Sequence, residues 1–221
     1  MERAGKSTGA RLLSAVEFML AAAVVVAHNV WRALPNEVPI LTVAALLSVR
    51  LRQDGWAALG FRRPKSWVRV ILIAFAAVVL RLIVSDPIEA ALTPLWGEPA
   101  TPAVITAGPH DARWLITTLA LVWTFAAIGE EIGYRGYVTL RGAEALGASN
   151  TAWVTATIAA AVLFGLGHYY KGPVGMVDSG VAGLILGAAY LLSGRCLWTT
   201  VLAHGLIDTT GVLLLYSGLA S

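Results

Sequence analysis

Fifteen consecutive uncharged residues, Trp114 to Ile128, run directly into Gly129-Glu130-Glu131-Ile132-Gly133-Tyr134-Arg135. The apolar run reads as the body of a membrane-spanning helix, and the charges that follow it constrain the fold. A charged side chain at the bilayer centre costs about 2.5–3.5 kcal/mol on insertion scales. Such groups face the interior of a bundle or a watery cavity, where they mark function. On an α-helix Glu131 and Arg135 stand four apart on one face and can pair. At 100° per residue Glu130 lies about 140° from Arg135 and cannot easily share that bond. The motif therefore predicts a structural Glu131 and a chemical Glu130.

Composition extends this reading to the whole chain. Hydrophobic residues make up 57% and charged residues 13% of its 221 positions. Soluble domains carry roughly 45–50% apolar and roughly 25% charged residues. With a mean hydropathy of +0.73, the expected class is all-α, a polytopic transmembrane helical bundle forming a single integral-membrane domain over residues 1–221. The net charge of +3 gives no reason to expect nucleic acid, because the positive residues fall between apolar runs. The lipid bilayer is the expected surrounding, and the eight Trp and six Tyr suit its interfaces. A single cysteine, Cys196, excludes an intrachain disulfide and a cysteine metal cluster.

Apolar periodicity and turn signals predict about seven helices, within a range of six to eight. They are Leu12–Val30, a short one at Val38–Val49, Trp67–Ser85, Trp114 to about Leu146, Thr151–His168, about Met176–Leu192, and Cys196 to about Leu219. The second is too short to span at the ~20 residues required. Residues 86–111, with Pro87, Pro94, Pro99, Pro102 and Pro109, read as an acidic loop. Trp56–Pro64 reads as an interfacial or solvated connector. Glycines 129 and 133, and 180, 183 and 187, have the spacing that lets helices approach closely.

Basic residues predict the orientation. With the N-terminus in the cytoplasm, eleven fall inside (Arg3, Lys6, Arg11, Arg50, Arg52, Arg62, Arg63, Lys65, Arg69, Arg141 and Arg195) and three outside (Arg32, Arg113 and Lys171). Cytoplasmic loops carry such an excess. Only three of the sixteen basic residues are Lys, which together with the abundant Ala and Arg points to a GC-rich bacterial genome and a bacterial cytoplasmic membrane.

Three predicted spans carry polar groups that need company in lipid: Glu130 on the fourth, His168 at the end of the fifth, and His204 with Asp208 one turn later on the seventh. His28 and His110 receive no role. The economical arrangement is one shared interior site. A carboxylate beside imidazoles can take a proton from water, and imidazole or similar donors can hold a developing oxyanion. No Ser or Cys nucleophile accompanies the set, which favours direct attack by water with no cofactor. Two alternatives use the same residues. Zinc could be ligated by Glu130, His168, His204 and Asp208, and intramembrane Glu, Arg and His also mark transporters and proton pathways. Depth poses a problem for a shared site. At about 1.5 Å per residue, Glu130 lies roughly 24 Å from Leu146 and His168 roughly 25 Å from Thr151, but His204 lies only about 12 Å from Cys196.

In this order, on successive hydrophobic segments, Glu130-Glu131-x-x-x-Arg135, Phe164-x-x-x-His168 and His204-x-x-x-Asp208 resemble the CAAX-protease and bacteriocin-processing family of intramembrane endopeptidases. The resemblance covers residues 114–217, the expected catalytic core, and Leu59-Gly60-Phe61-Arg62-Arg63-Pro64 is similar to a stretch that precedes the family's core. It implies an endopeptidase acting on a membrane-associated or lipidated protein or peptide. It implies that Glu130 and His168 activate water and that His204 and the residue at 208 stabilise the oxyanion. Glu131 and Arg135, with Phe164 of the second motif, would support the site. The residue at 208 is often Asn in the family; here it is Asp, which when ionised has no proton to donate.

Overall fold

The computed structural model describes residues 7–100 and 111–219. Arg3, Lys6, His110 and the part of the proline-rich stretch from 101 to 110 lie outside the described residues. Among the described residues seven helices form: α1 (Thr8–Asn29), α2 (Glu37–Leu51), α3 (Trp67–Trp96), α4 (Ala112–Ala145), α5 (Asn150–Gly167), α6 (Gly172–Leu192) and α7 (Leu197–Tyr216). Among the described residues there is no strand. All but α2 are long and apolar enough to cross a membrane. The helical-bundle class and the short α2 are as the sequence indicates. Ser7, Asn36, Ser66, Asp111 and Ser149 accept backbone N–H bonds at the starts of α1 to α5, which satisfies donors that lipid could not.

The expected loop after Ser85 is in its first part helix. α3 continues through Pro87 and Pro94 to Trp96. Proline removes one N–H bond and crowds the preceding turn, but in a spanning helix the other bonds of that turn have no water to exchange with. Sequence rules calibrated on soluble helices place the stop too early.

Close approach builds the core around α4. A Cβ on Gly129 would stand 2.8 Å from Val38 Cγ1, and one on Gly133 3.1 Å from Leu41 Cβ, so α2 lies directly against the acidic motif. α5 and α6 meet the same way: a Cβ on Gly187 would sit 2.3 Å from Thr157 Cγ2, and one on Gly165 2.7 Å from the Met176 carbonyl.

The depth problem is solved from below α7. Residues Trp56–Leu59 form a single 3-10 turn that tucks under the bundle. Leu59 is fully buried, and its carbonyl would be 3.1 Å from a Cβ on Gly136. The next residue, Gly60, has φ +98°, a left-handed conformation suited to glycine, and its carbonyl accepts from Leu197 N–H at 3.0 Å. α7 thus starts level with Gly136 rather than with the end of α4. His204 is seven residues above that level and Glu131 five, so they meet.

Below this level a buried ion network ties α1, α2 and α4 together. Arg141 is 0% exposed and binds Glu17 and Asp54 at 3.0 Å and Glu144 at 2.8 Å. Arg52 reaches Glu17 at 2.9 Å and Glu144 at 3.4 Å, and Ser48 joins Glu17. Arg141 is therefore not the free cytoplasmic charge that the orientation count assumes; with the paired Arg52 also set aside, nine inner basic residues remain. The intramembrane Arg81 of α3 is paired as well, with Asp178 of α6, which Ser85 also contacts at 3.3 Å.

Candidate active site

α4 does not keep α-helical geometry through its acidic motif. From Val122 to Val138 the hydrogen bonding widens to the five-residue π repeat, and Thr139 N–H closes it on the Tyr134 carbonyl. π turns commonly occur at functional sites. The wider repeat brings positions five apart toward one face, so the 140° separation of Glu130 from Arg135 expected for an α-helix does not hold. Glu130 is instead kept out of the ion pair because Arg135 is fully engaged elsewhere. Its Nη1 donates to Glu131 Oε1 at 2.8 Å, its Nη2 to the Gly183 carbonyl at 3.4 Å, and its guanidinium lies 4.3 Å from the centre of the Phe164 ring.

Glu131 is 0% exposed. Besides Arg135, its Oε1 accepts from His204 Nδ1 at 2.8 Å. The sequence places Glu131 with Arg135 only; that it also orients the α7 histidine is visible only once α4 and α7 are side by side. A Cβ on Gly205 would lie 2.6 Å from the Trp123 ring, so glycine allows that approach. With Nδ1 committed to Glu131, His204 turns Nε2 toward Asp208 Oδ2 at 3.5 Å and Glu130 Oε2 at 4.0 Å. Glu130 Oε2 is itself buried without a hydrogen-bond partner.

His168 follows the last turn of α5. Its Nδ1 donates to the Phe164 carbonyl at 2.9 Å, since a carbonyl only accepts, and in the neutral ring this leaves the Nε2 lone pair free. Phe164 is the shared floor: its ring centre is 4.7 Å from that of His168, 6.0 Å from His204 and 5.1 Å from Tyr134. Seven residues from three well-separated stretches are thus brought to one place in two tiers. Arg135, Glu131 and His204 form a buried tier over Phe164, and Glu130, Asp208 and His168 stand toward the more exposed end. The described contacts of His168 are with Phe164 and Tyr170, and none is to Glu130.

Among the described residues, no group of three or more His, Cys, Asp or Glu side chains is placed to hold a metal ion. Glu131 and the Phe164 carbonyl each occupy the Nδ1 of one histidine, which leaves both Nε2 atoms open to water or a metal.

One neighbour of the site, Glu37, receives no role from the sequence. Glu37 at the start of α2 is buried, accepts from Tyr134 OH at 3.4 Å and lies 3.2 Å from His28 Nε2. A Cβ on Gly167 would meet Tyr134 OH at 2.6 Å and Glu37 Oε1 at 3.2 Å, so this acid sits beneath the backbone that carries His168. In sequence Glu37 falls just before the apolar run Val38–Val49, and the structure makes it the first residue of α2.

No curated protein and no solved structure matches the chain. Residues 112–210 match the family described as Rce1-like, type II CAAX prenyl endopeptidase. That interval contains all seven residues of the two-tier site, Glu130 to Asp208. Over residues 112–210, this integral membrane protein is therefore similar to the Rce1-like family of type II CAAX prenyl endopeptidases.

Proposed function

We propose that the chain hydrolyses peptide bonds of a membrane-associated protein or peptide by direct attack of water, with Glu130 as the base. The observation that carries this reading is the division of labour between adjacent carboxylates. Glu131 is held by Arg135 and His204, whereas Glu130 Oε2 is buried without a hydrogen-bond partner 4.0 Å from His204 Nε2. In the reaction Glu130 takes a proton from water, which His168 Nε2 helps to orient, and the hydroxide oxygen adds to the carbonyl carbon. His204 Nε2–H and a protonated Asp208 donate to the resulting oxyanion. When the C–N bond breaks, the proton on Glu130 passes to the leaving amine, and the new carboxyl carries the water oxygen. Cleavage of a peptide by the purified protein in detergent tests this; a folded protein that leaves every peptide intact while moving ions across vesicles is a transporter instead.

The weakest role is that of Asp208, and it separates the metal-free scheme from zinc chemistry. Asp208→Asn should retain substantial activity, because an amide also donates to the oxyanion, and should lose less activity at high pH than the wild type. Active protein should contain no stoichiometric zinc and should survive chelators. Stoichiometric zinc that is lost with activity in Asp208→Asn would establish the metal mechanism.

With Arg52 and Arg141 set aside, nine inner basic residues in the sequence against three on the other side support an N-terminus in the cytoplasm. The end of the bundle carrying His168 and Lys171 would then open on the outer face, and substrate would arrive from there. A tag at Arg63 should be cytoplasmic, and a cysteine at position 98 should react with impermeant reagent from outside. Labelling at 98 from the cytoplasmic side alone would reverse the orientation.

A further inference from the structure

The connector between α2 and α3 folds under the bundle into an aromatic pocket that the hydrolytic scheme leaves unused. Gly60 fixes it there, its carbonyl accepting from Leu197 N–H. The next residue, Phe61, therefore stands beside the start of α7, with its ring edge-on to Trp198 at 5.2 Å and to Trp56 at 6.4 Å. Phe61, Trp67 and Trp198, with Arg62 and Arg63, line a hollow of about 410 Å³, within the roughly 300–1,000 Å³ of small-ligand sites. Trp67 is the first residue of α3 and Trp198 the second of α7, so the hollow opens where both helices enter the membrane. Tryptophan rings favour the headgroup region, but anchoring alone requires no hollow between them.

The charge of this pocket is one-sided. Arg62 and Arg63 are exposed, and among the described residues neither is paired with a carboxylate. The nearest acid along the chain, Asp54, is held by Arg141 at 3.0 Å. Two neighbouring cations, by contrast, are committed. Arg69 Nη2 donates to the Leu192 carbonyl at 2.8 Å, and the Arg195 guanidinium lies 4.2 Å from the centre of the Trp153 ring. Arg62 arches over the α6–α7 turn, where a Cβ on Gly194 would be 3.8 Å from its Nη2. Above the pocket the surface turns apolar. Trp67, Ile71 and Phe75 are all exposed and, spaced four apart, form one ridge along α3. Two guanidiniums at the foot of an apolar ridge match a molecule with an anionic head and a hydrocarbon tail. A soluble anion leaves the ridge unused, and a neutral lipid leaves the guanidiniums uncompensated.

We infer that this pocket binds the phosphate of an anionic glycerophospholipid, with Arg62 and Arg63 as its ligands and the acyl chains along the α3 ridge. Basic pockets between spanning helices bind such headgroups on the cytoplasmic side, the side on which the orientation proposed above puts this one. Guanidinium suits the task, because its planar fork matches two phosphate oxygens. A lipid seated here packs on the connector whose Gly60 carbonyl sets the level of α7, and so braces the height of His204. Binding of this kind does not depend on the endopeptidase reading.

For the test, the purified full-length protein in detergent is titrated with phosphatidylglycerol and, separately, with phosphatidylcholine, and bound lipid is counted by native mass spectrometry. The wild type should hold one phosphatidylglycerol about 25-fold more tightly than phosphatidylcholine, at about fivefold for each basic residue beside an anionic lipid. Phosphatidylglycerol should also raise its Tm, as a ligand of the folded state does. Arg62→Gln/Arg63→Gln should bind the two lipids equally, lose the Tm rise, and melt with the wild type when no lipid is added. Each single variant should lose about fivefold of the preference. Arg50→Gln/Lys65→Gln, which removes two exposed charges outside the pocket, should keep it. Equal binding of the two lipids by the wild type overturns the inference. So does an equal loss in both double variants, which would show attraction to general surface charge only. Inorganic phosphate or a tetraglutamate peptide that displaces the lipid at matching concentration also overturns it, in favour of an ion or acidic-peptide site.

Discussion

Glu130→Gln should lower peptide cleavage by about 100- to 10,000-fold, the usual cost of losing a general base, while the protein remains folded. The amide is nearly isosteric with the carboxyl but cannot take a proton from water. Little else should change, because Glu130 Oε2 makes no hydrogen bond that the fold depends on. KM should move little, since the loss falls on the transition state. A well-folded Glu130→Gln protein with near-normal turnover would remove Glu130 from the chemistry.

Arg135→Ala should cost both stability and activity. The guanidinium holds Glu131, reaches the Gly183 carbonyl of α6 and covers the Phe164 ring of α5, so its removal loosens three helices at once. It also strands the fully buried Glu131 carboxylate. Breaking a buried pair by removing one partner costs about 3–5 kcal/mol, which thermal unfolding in detergent should report as a clearly lowered Tm. Activity should fall through His204, which Glu131 would no longer hold in place. An inactive Arg135→Ala protein that melts with the wild type would put Arg135 at the substrate instead.

The residues of the candidate site stand out in sequence because lipid makes polar groups conspicuous. Glu130, His168, His204 and Asp208 stand out of apolar runs, and their need for company is a strong argument when water is absent. Geometry was less legible. The α-helical wheel separates Glu130 from Arg135, whereas the π repeat of Val122–Val138 removes that separation and leaves the competition for Arg135 to decide the outcome. The shared depth of His204 and Glu131 depends on the bond from Leu197 N–H to Gly60, more than one hundred residues away in the chain, and local pattern carries no trace of it. Arg141 and Arg52 read as free inner-side charges because Glu17 and Asp54 lie on other elements and Glu144 looks solvated. Glu37 falls outside the apolar run Val38–Val49, and its place beneath Gly167 depends on Tyr134 reaching it across the bundle.

The most direct test of the account is to measure activity and thermal unfolding together for Glu130→Gln and Glu131→Gln, purified side by side. Two adjacent carboxylates are assigned different work, one chemical and one structural. Glu130→Gln should be inactive with a wild-type Tm. Glu131→Gln should unfold at a clearly lower temperature, because the amide cannot balance the buried Arg135 and His204. The reverse pattern, a destabilised Glu130→Gln and an inactive Glu131→Gln as stable as the wild type, would contradict the account and exchange the two roles.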